Sequence, residues 1–170
     1  MATVMTPAGQ RAALAALLAT VSGIGVIHTR RRIIRDENAI RQLLVPSGNA
    51  EGHVNAWMIY PAGASTTVTK RNPGHHGKGI KGGGNVFTTF QWQIDFYHYI
   101  DDAAATETTA FDLAWAVADE LNAYGQLNID GLVDQLPADV EQFGFVTLAN
   151  FALYHYARIG VGFHGRTRPT

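Results

Sequence analysis

Apolar and polar side chains alternate through the segment NVFTTFQWQIDFYHYI, residues 85 to 100. One face of this segment would carry Val86, Phe90, Trp92, Ile94, Phe96 and Ile100. The other face would carry Gln91, Gln93, Asp95, Tyr97 and Tyr99. Because successive side chains of a β-strand point to opposite sides, the pattern predicts a long strand with one buried face, which is typical of an antiparallel sheet.

A second β-like segment precedes this strand, and a glycine-rich loop joins the two. Residues 54 to 69 are rich in apolar, aromatic and β-branched side chains, which favour strands. The connection at about 70–85 is therefore the tip of a long β-hairpin, and we call it the basic finger. It holds every lysine of the chain, and no Asp or Glu occurs between Glu51 and Asp95. Its basic side chains are Lys70, Arg71, His75, His76, Lys78 and Lys81.

The length of the basic finger calls for an explanation. Ordinary hairpin loops have roughly two to five residues, and this connection is several times longer. Long glycine-rich loops with charge of one sign are usually either disordered or ordered by a partner. The formal net charge of the whole chain is −1, so any attraction to nucleic acid must come from this local cluster. A solvated hairpin tip is the alternative interpretation.

Two amphipathic helices are predicted on either side of the hairpin. The first begins at Thr6, which can cap it, and Pro7, whose missing N–H would be unpaired in the first turn anyway. Its apolar positions are Leu14, Leu17, Leu18 and Val21, with Gly23 as the stop. The second helix lies within residues 101–125, and its apolar face is Phe111, Ala114, Trp115, Ala118 and Leu121, broadened by Leu113, Val117 and Tyr124.

The order of these elements indicates the fold class. Strand-like alternation returns from Phe151 to Phe163, so the chain is expected to read helix, strands, long hairpin, helix, strands. This order predicts an α+β domain in which two main helices cover one side of a mostly antiparallel sheet. We find no internal repeat and no linker, so residues 1–170 are expected to form a single domain.

A run of arginines follows the first helix. The side chains of Arg30, Arg31, Arg32 and Arg35 are too hydrophilic for a core. They fit a solvated sheet edge, where charge discourages unwanted strand pairing, or a contact with an acidic surface of a neighbouring subunit. These four are the candidate subunit-interface residues.

The motifs point away from catalysis. The GHHGKG segment fails as a phosphate-binding loop, since Asn72 and Gly79 stand where a glycine and a hydroxyl residue are needed. The seven histidines lack metal-ligand spacing, and the chain has no cysteine. Asp95, Asp101 and Asp102 are nuclease candidates by proximity alone, and helix capping explains the last two more simply. We predict no catalytic residue, no metal and no cofactor.

A membrane association is not expected either. The apolar run from Arg11 to Val21 is about half the roughly 20 residues that cross a bilayer. It also lacks the basic extreme N-terminus of a secretory signal.

The order of segments resembles that of the tail-terminator, or tail-completion, proteins of long-tailed bacteriophages. The likeness rests on a helix ending in SGIG, a WMIY strand, the long hairpin, FQWQIDFYHYIDD, the helix AFDLAWAVADELNAYG and the closing HYARIGVGFHGR strand. It spans nearly the whole chain and is one of pattern and element order, without a diagnostic catalytic motif. The basic, histidine-rich finger matches no motif of that family.

This resemblance implies a structural virion protein. Family members form a hexameric ring on the head-proximal end of the tail tube, which stops tube polymerisation and docks to the head-side connector, or stopper. The implied partners are further copies of the chain, the tail tube protein, the connector and the DNA that passes through the lumen. The implied location is the neck of the virion, after assembly in the host cytoplasm. In such a ring the broad apolar face of the second helix would serve subunit contacts, and the finger would line the channel or clasp the tube.

Two other functions remain open on the sequence. One is a different head–tail connector, neck or tail-tube component, which its position in the particle would distinguish from a terminator. The other is a nucleic-acid-binding module, which predicts salt-sensitive binding that is lost when Lys70, Arg71, Lys78 and Lys81 become Ala. Aromatic side chains such as Trp92 and Tyr97 suit either base stacking or a core.

Overall fold

The computed structural model describes residues 4–69, 85–123, 127, 129–149 and 152–168. Its helices are α1 (Pro7–Leu18), α2 (Glu37–Leu44) and α3 (Thr106–Ala123). Its strands are β1 (Val26–His28), β2 (Asn55–Thr69), β3 (Asn85–His98), β4 (Leu132–Leu148) and β5 (Ala152–Arg168). The strands form one sheet in the order β1-β2-β3-β5-β4, in which β1 and β2 are parallel and all other neighbours are antiparallel.

The predicted α+β class, with a mostly antiparallel sheet, is confirmed. The helices α1 and α3 pack on one face of the sheet and enclose the main core with it. The hydroxyl of Thr6 accepts a hydrogen bond from the Gly9 amide at 3.0 Å, and Pro7 opens α1, so the predicted helix start is also confirmed. The helix ends at Leu18, five residues before Gly23, which lies in the following loop with a φ of 82°.

The main core is organised in rows that cross the strands. The stacked rings of Trp57 and Phe96 form the centre of one row, with centroids 4.1 Å apart. Strand pairing extends this row from Ile27 on β1, through Trp57, Phe96 and Ala157, to Phe143 on β4. Ile27 at one edge of the sheet and Phe143 at the other therefore lie at the same level along the strands.

The second face of the sheet departs from the sequence prediction. Gln91 is exposed as expected, but the prediction of a solvated face is wrong at Asp95 and Tyr97, which are buried. The short helix α2 covers this part of the sheet with Ile40 and Leu44 and forms a second core cluster there. The polar and aromatic side chains of this face gave no sign of the cover, because tyrosine and aspartate are common on exposed faces.

The strand β4 was missed by the sequence reasoning. Its burial does not alternate, and its pairing with β5 shifts register at three places between Leu132 and Gln142. Pro137 lies within it, and a proline usually argues against a strand except at a sheet edge. As β4 is the edge strand, its proline and irregular pairing cost no hydrogen bond to a further neighbour.

The long β-hairpin is confirmed by the pairing of β2 with β3. Backbone pairing continues from Asn55 opposite His98 to Thr69 opposite Asn85. The basic finger connects the last pair, and all six of its candidate contact residues lie outside the described residues. The hairpin therefore fixes where the finger leaves the sheet, at the end where β5 finishes and β4 begins.

Candidate functional site

Among the described residues neither edge of the sheet has a further strand beside it, and the two edges differ in character. β1 pairs with β2 only from Ala56 to Met58, so the outer edge of β2 from Ile59 onward has no strand partner among the described residues. The opposite edge is β4, which pairs with β5 along one side. Because unpaired edges are templates for association, both are candidate contacts with other chains.

The segment of residues 29–35, which we call the arginine loop, lies beside the open edge of β2. Arg30, Arg31 and Arg35 are exposed. The guanidinium of Arg31 lies 5.2 Å from the ring centroid of Tyr60, a cation–π contact that holds the loop near β2. Between these arginines Ile33 is 73% exposed, which is unusual for a large aliphatic side chain.

Arg32 differs from the other predicted interface arginines. Its Nε donates to Nδ1 of His28 at 3.2 Å, and its backbone N–H points to Sδ of Met58 at 3.4 Å. The Nε2 atom of His28 lies 2.5 Å from the carbonyl oxygen of Leu43. Because a carbonyl oxygen only accepts and arginine Nε only donates, His28 is a neutral ring with its hydrogen on Nε2. Arg32 therefore anchors the loop internally, and the other three arginines carry its exposed charge.

A groove of about 500 Å³ opens between the arginine loop, α1 and the edge of β2, and we call it the cationic groove. Its charged lining residues are Arg11, Arg30 and Arg31, and its other lining residues are Thr29, Tyr60, Pro61, Ala62 and Gln93. Three guanidinium groups without an acidic neighbour in the lining attract anions, and each can bind a carboxylate or phosphate through two parallel hydrogen bonds. This groove and the arginine loop form the basic edge of the protein.

A buried ion-pair network lies beneath the cationic groove. The carboxylate of Asp95, 1% exposed, accepts hydrogen bonds from the hydroxyls of Tyr60 at 2.6 Å and Tyr156 at 2.8 Å. It also accepts from Nε of Arg158 at 2.8 Å and from its Nη2 at 3.2 Å. These residues come from β2, β3 and β5, so the network fixes three strands and the floor of the groove relative to one another.

The pKa values of the two tyrosines and of Arg158 in this network are raised. Burial and the hydrogen bond to Asp95 raise the pKa of Tyr60 to about 12. The same causes raise the pKa of Tyr156 above its usual range, and the hydrogen bond to Asp95 raises the pKa of Arg158. Neither tyrosine hydroxyl can therefore lose its proton in a reaction at neutral pH, and the network is suited to holding structure.

Two of the carboxylates singled out from the sequence, Asp95 and Asp101, have protein hydrogen-bond partners. The two carboxylate oxygens of Asp95 together accept four hydrogen bonds, all from protein side chains. Asp101 instead accepts from the amides of Ala103 and Ala104 at 3.0 and 3.2 Å, in the turn that precedes α3. Within the described part of the chain, no three His, Asp or Glu side chains gather in a group that could hold a metal ion.

The opposite edge of the sheet is acidic. Ten of the 14 Asp and Glu residues lie between Asp101 and Glu141, and the chain has no Lys or Arg between Lys81 and Arg158. This segment contains α3 and the first part of β4. Eight of the ten acidic residues are exposed: Asp102, Glu107, Asp112, Asp119, Asp130, Asp134, Asp139 and Glu141. The outer surface of α3 and the β4 edge thus form the acidic edge of the protein.

Aromatic side chains are exposed on the same edge. Most of the predicted broad apolar face of the second helix is buried, but Phe111 and Trp115 are exposed, and Tyr124 lies outside the described residues. The rings of Phe111 and Trp115 stack at 4.1 Å, and Phe143 meets Phe111 edge-on at 5.4 Å. We call the group the aromatic patch, and its members are Phe111, Trp115, Phe143, Phe145 and Leu153.

Of the residues singled out from the sequence, the structure describes the four arginines but not the six residues of the basic finger. Arg30 and Arg31 line the cationic groove, Arg35 is an exposed residue of the same loop, and Arg32 is an internal anchor. The acidic edge was overlooked, although the absence of Lys and Arg from residue 82 to residue 157 was a signal for it. The contribution of Arg11 to the groove was not foreseeable, because α1 and the arginine loop are brought together only by packing.

None of the described helices combines the length and the apolar character that crossing a bilayer requires. Comparison of the chain with models of known protein families and with curated protein sequences gives no match.

Proposed function

We propose that this protein is a structural subunit that assembles head to tail into a closed ring, and that the ring terminates a bacteriophage tail tube. The observation that carries the proposal is the opposite charge of the two free sheet edges. One edge presents the cationic groove and the arginine loop, and the other presents the acidic surface of α3 and β4. The six-fold stoichiometry and the place in the particle rest on the resemblance in segment order.

Opposite charge on opposite edges favours one kind of assembly. A two-fold dimer through either edge would oppose like charges, which costs free energy at close range. A head-to-tail contact pairs a basic edge with an acidic edge in every interface. Such contacts either continue as a filament or close into a ring, and a closed ring leaves no lateral edge free.

A closed ring suits a protein that ends a polymer. Its lateral edges are consumed by neighbouring copies, so only its two rims remain for the tail tube protein and the head-side connector. In this proposal, DNA passes through the lumen, and the protein is part of the finished virion. No step of this assembly requires catalysis.

The basic finger belongs to a rim in this proposal. It leaves the sheet beyond Thr69, at the far end of β2 from the pairing with β1. A site at the end of the strands suits a contact with the tube or with DNA better than a lateral contact with another subunit. The finger then meets acidic side chains of the tube or DNA phosphate.

Native mass spectrometry of the full-length protein tests the proposal, with and without a short DNA duplex at near-physiological salt. A closed hexamer whose mass is unchanged by DNA is the expected result, either for the protein alone or after addition of tail tubes. A monomer that stays monomeric with tubes present would overturn the ring. A monomer that binds duplex would favour the nucleic-acid-binding module.

The position of the ring separates a terminator from another neck or tube component. Cryo-electron microscopy of intact particles is expected to place it between the last layer of tail tube and the head-side connector. Density at any other level of the neck or tail would overturn the terminator assignment while leaving the ring intact.

A further inference from the structure

We infer that the arginine loop of one copy docks on the aromatic patch of the next copy, with Ile33 as the apolar anchor. This inference rests on the proposed ring and specifies its interface. It commits the exposed patch on α3 and β4 to one occupant, a second copy of this chain.

The level of the two surfaces along the strands supports this pairing. Ile27, one residue before the end of β1, lies in the same cross-strand row as Phe143 of the aromatic patch. The arginine loop begins directly after His28, so it leaves the sheet at the level of the patch, on the opposite edge. The edges are four strand spacings apart, about 19 Å at roughly 4.8 Å each. The two surfaces therefore need no sliding along the strands to meet. The loop contacts Met58 and Tyr60 on the face of the second cluster, whereas the patch lies on the main-core face, so the neighbour must also be rotated about the strand direction.

The arginine loop and the aromatic patch are also chemically complementary. Each has an exposed apolar centre, and the charges around the two centres are of opposite sign. Ile33 is 73% exposed and is flanked by arginines, while Phe145 and Leu153 on the patch are 54% and 52% exposed. Interfaces of this kind gain affinity from a few buried apolar anchors and specificity from the charged rim.

The acidic rim can be placed around the patch. The ring of Phe145 lies 5.2 Å from the ring of His155. The hydroxyl of Thr106, the residue before Glu107 in the first turn of α3, lies 3.2 Å from Nε2 of His155. Glu107 also precedes Phe111 by one helical turn, and Asp119 follows Trp115 by one turn, so both lie on the same side of α3 as the patch.

Among the described residues, no ion pair occupies the charges of the arginine loop or of the acidic rim. The ion pairs of the described residues join Arg41 to Glu37, His53 to Glu51 and Arg158 to Asp95. None of them uses the exposed arginines of the loop or the acidic rim of the patch. A second copy would provide each set with counterions, and this contact would also cover Ile33.

Site-directed crosslinking of the full-length protein tests the inference, because the chain contains no cysteine to compete. The test protein carries Ile33→Cys and Phe145→Cys and is treated with a short bis-maleimide linker in the ring state. A ladder of covalent oligomers that ends at the ring's own subunit number is expected. The matched control carries Ile33→Cys with Val133→Cys, an exposed apolar position on β4 at the far end from Phe143, and is expected to give no ladder.

Single-cysteine proteins separate the alternatives. A mixture of the Ile33→Cys protein with the Phe145→Cys protein is expected to give a crosslinked heterodimer, whereas each protein alone gives none. Crosslinking of the Phe145→Cys protein with itself would show patch against patch and overturn the inference. A ring that forms in native mass spectrometry but yields no Ile33–Phe145 crosslink would overturn the docking inference and leave the ring standing. Failure to form any ring, with tubes present, would overturn both.

Charge exchange provides a second test that does not depend on linker reach. Arg30→Glu with Arg35→Glu is expected to abolish the ring, and so is Glu107→Arg with Asp119→Arg. Mixing the two variants is expected to restore a ring in which they alternate, because both kinds of contact between unlike variants then pair opposite charges, whereas contacts between like variants repel. The control is Glu51→Arg, an exposed charge outside both edges, which is expected to leave the ring unchanged. Rings that persist in either reversed variant would overturn the inference.

Discussion

At the scale of single residues, the Asp95 carboxylate is the polar group on which the second face of the sheet depends most. Its charge is buried, and only Arg158 among the described residues forms an ion pair with it. Removing one partner of a buried pair leaves an uncompensated charge, which costs far more than the pair contributes. Removing Arg158 therefore tests whether the Asp95 network stabilises the fold.

We expect Arg158→Met to lower the free energy of unfolding by about 3–5 kcal/mol, because it leaves Asp95 charged and buried. Adding Asp95→Asn should recover part of this loss, since the buried charge is then gone while an acceptor oxygen remains for a tyrosine hydroxyl. Urea unfolding measures both. The control is Arg41→Met, which breaks an exposed pair with Glu37 and should cost less than about 0.5 kcal/mol. A double variant less stable than Arg158→Met alone would contradict the expectation.

Two buried histidines make stability depend on pH. His98 and His155 pair across β3 and β5, with ring centroids 6.3 Å apart, and burial lowers the pKa of both below the ordinary 6.5. Below about pH 6.5 the unfolded chain therefore binds more protons than the folded one, so stability falls as the pH falls. Their neighbours are the Thr106 hydroxyl at 3.2 Å, His53, the Tyr99 carbonyl, Glu107 and Asp102.

We expect the thermal midpoint to fall by roughly a few degrees between about pH 7.5 and about pH 5.5. The double variant His98→Gln with His155→Gln should flatten this slope, whatever its stability at the higher pH. Calorimetry of the two proteins across the range is the measurement. An equal slope in both would assign the pH dependence to other groups.

At the scale of elements, the position of β1 decides where the arginine loop lies. Gly25 precedes β1, and a Cβ atom there would overlap the carbonyl oxygen of Asn55 at the start of β2. Only glycine lets the two backbones approach closely enough for the parallel pairing of Val26 with Ala56. The loop that carries three exposed arginines is therefore aimed by a backbone contact at its root.

We expect Gly25→Ala to lower stability by about 1–3 kcal/mol or more, since backbone must move to relieve the overlap. The matched control is Gly144→Ala on β4, where an added Cβ has no atom within 4 Å and should change stability by less than about 0.5 kcal/mol. Chemical unfolding of the two variants compares them directly. A similar cost for both would show that the approach of β1 to β2 is not the constraint.

Some elements of the fold could be predicted from the sequence and others could not. Period-two alternation predicted β3 and the long hairpin, and capping chemistry predicted the first residues of α1, because both are local properties. The burial of Asp95 was not predictable, since it depends on α2 crossing the sheet from a distant part of the chain. The strand β4 was hidden by Pro137 and its register shifts. Only part of the candidate interface could be predicted from the sequence. Arg30 to Arg32 are consecutive in the chain, whereas Arg11 and the members of the aromatic patch are brought to their places only by the fold.

At the scale of the whole molecule, lateral assembly and partner binding are assigned to different parts of the chain. The sheet edges carry opposite charge near the level of Phe143, and the finger is attached beyond Thr69 at the end of the hairpin. If the proposed ring is correct, the two functions should be separable by mutation. A nucleic-acid-binding module that uses the finger would show no such separation.

We expect the variant Lys70→Ala, Arg71→Ala, Lys78→Ala and Lys81→Ala to form the same ring as the parent protein but to bind tail tubes more weakly. The ring itself should be weakened by salt, because the screening length falls from about 8 Å at 0.15 M to about 3 Å at 1 M and the charged rims then attract each other less. Native mass spectrometry across ammonium acetate concentrations measures the ring, and co-sedimentation with tubes or duplex measures the finger. If tube binding is lost but DNA binding was never present, the acidic surface of the tube is the finger's partner. If the finger variant also fails to form the ring, the finger is needed for ring assembly. The proposal that the sheet edges form the ring while the finger binds the partner is then wrong.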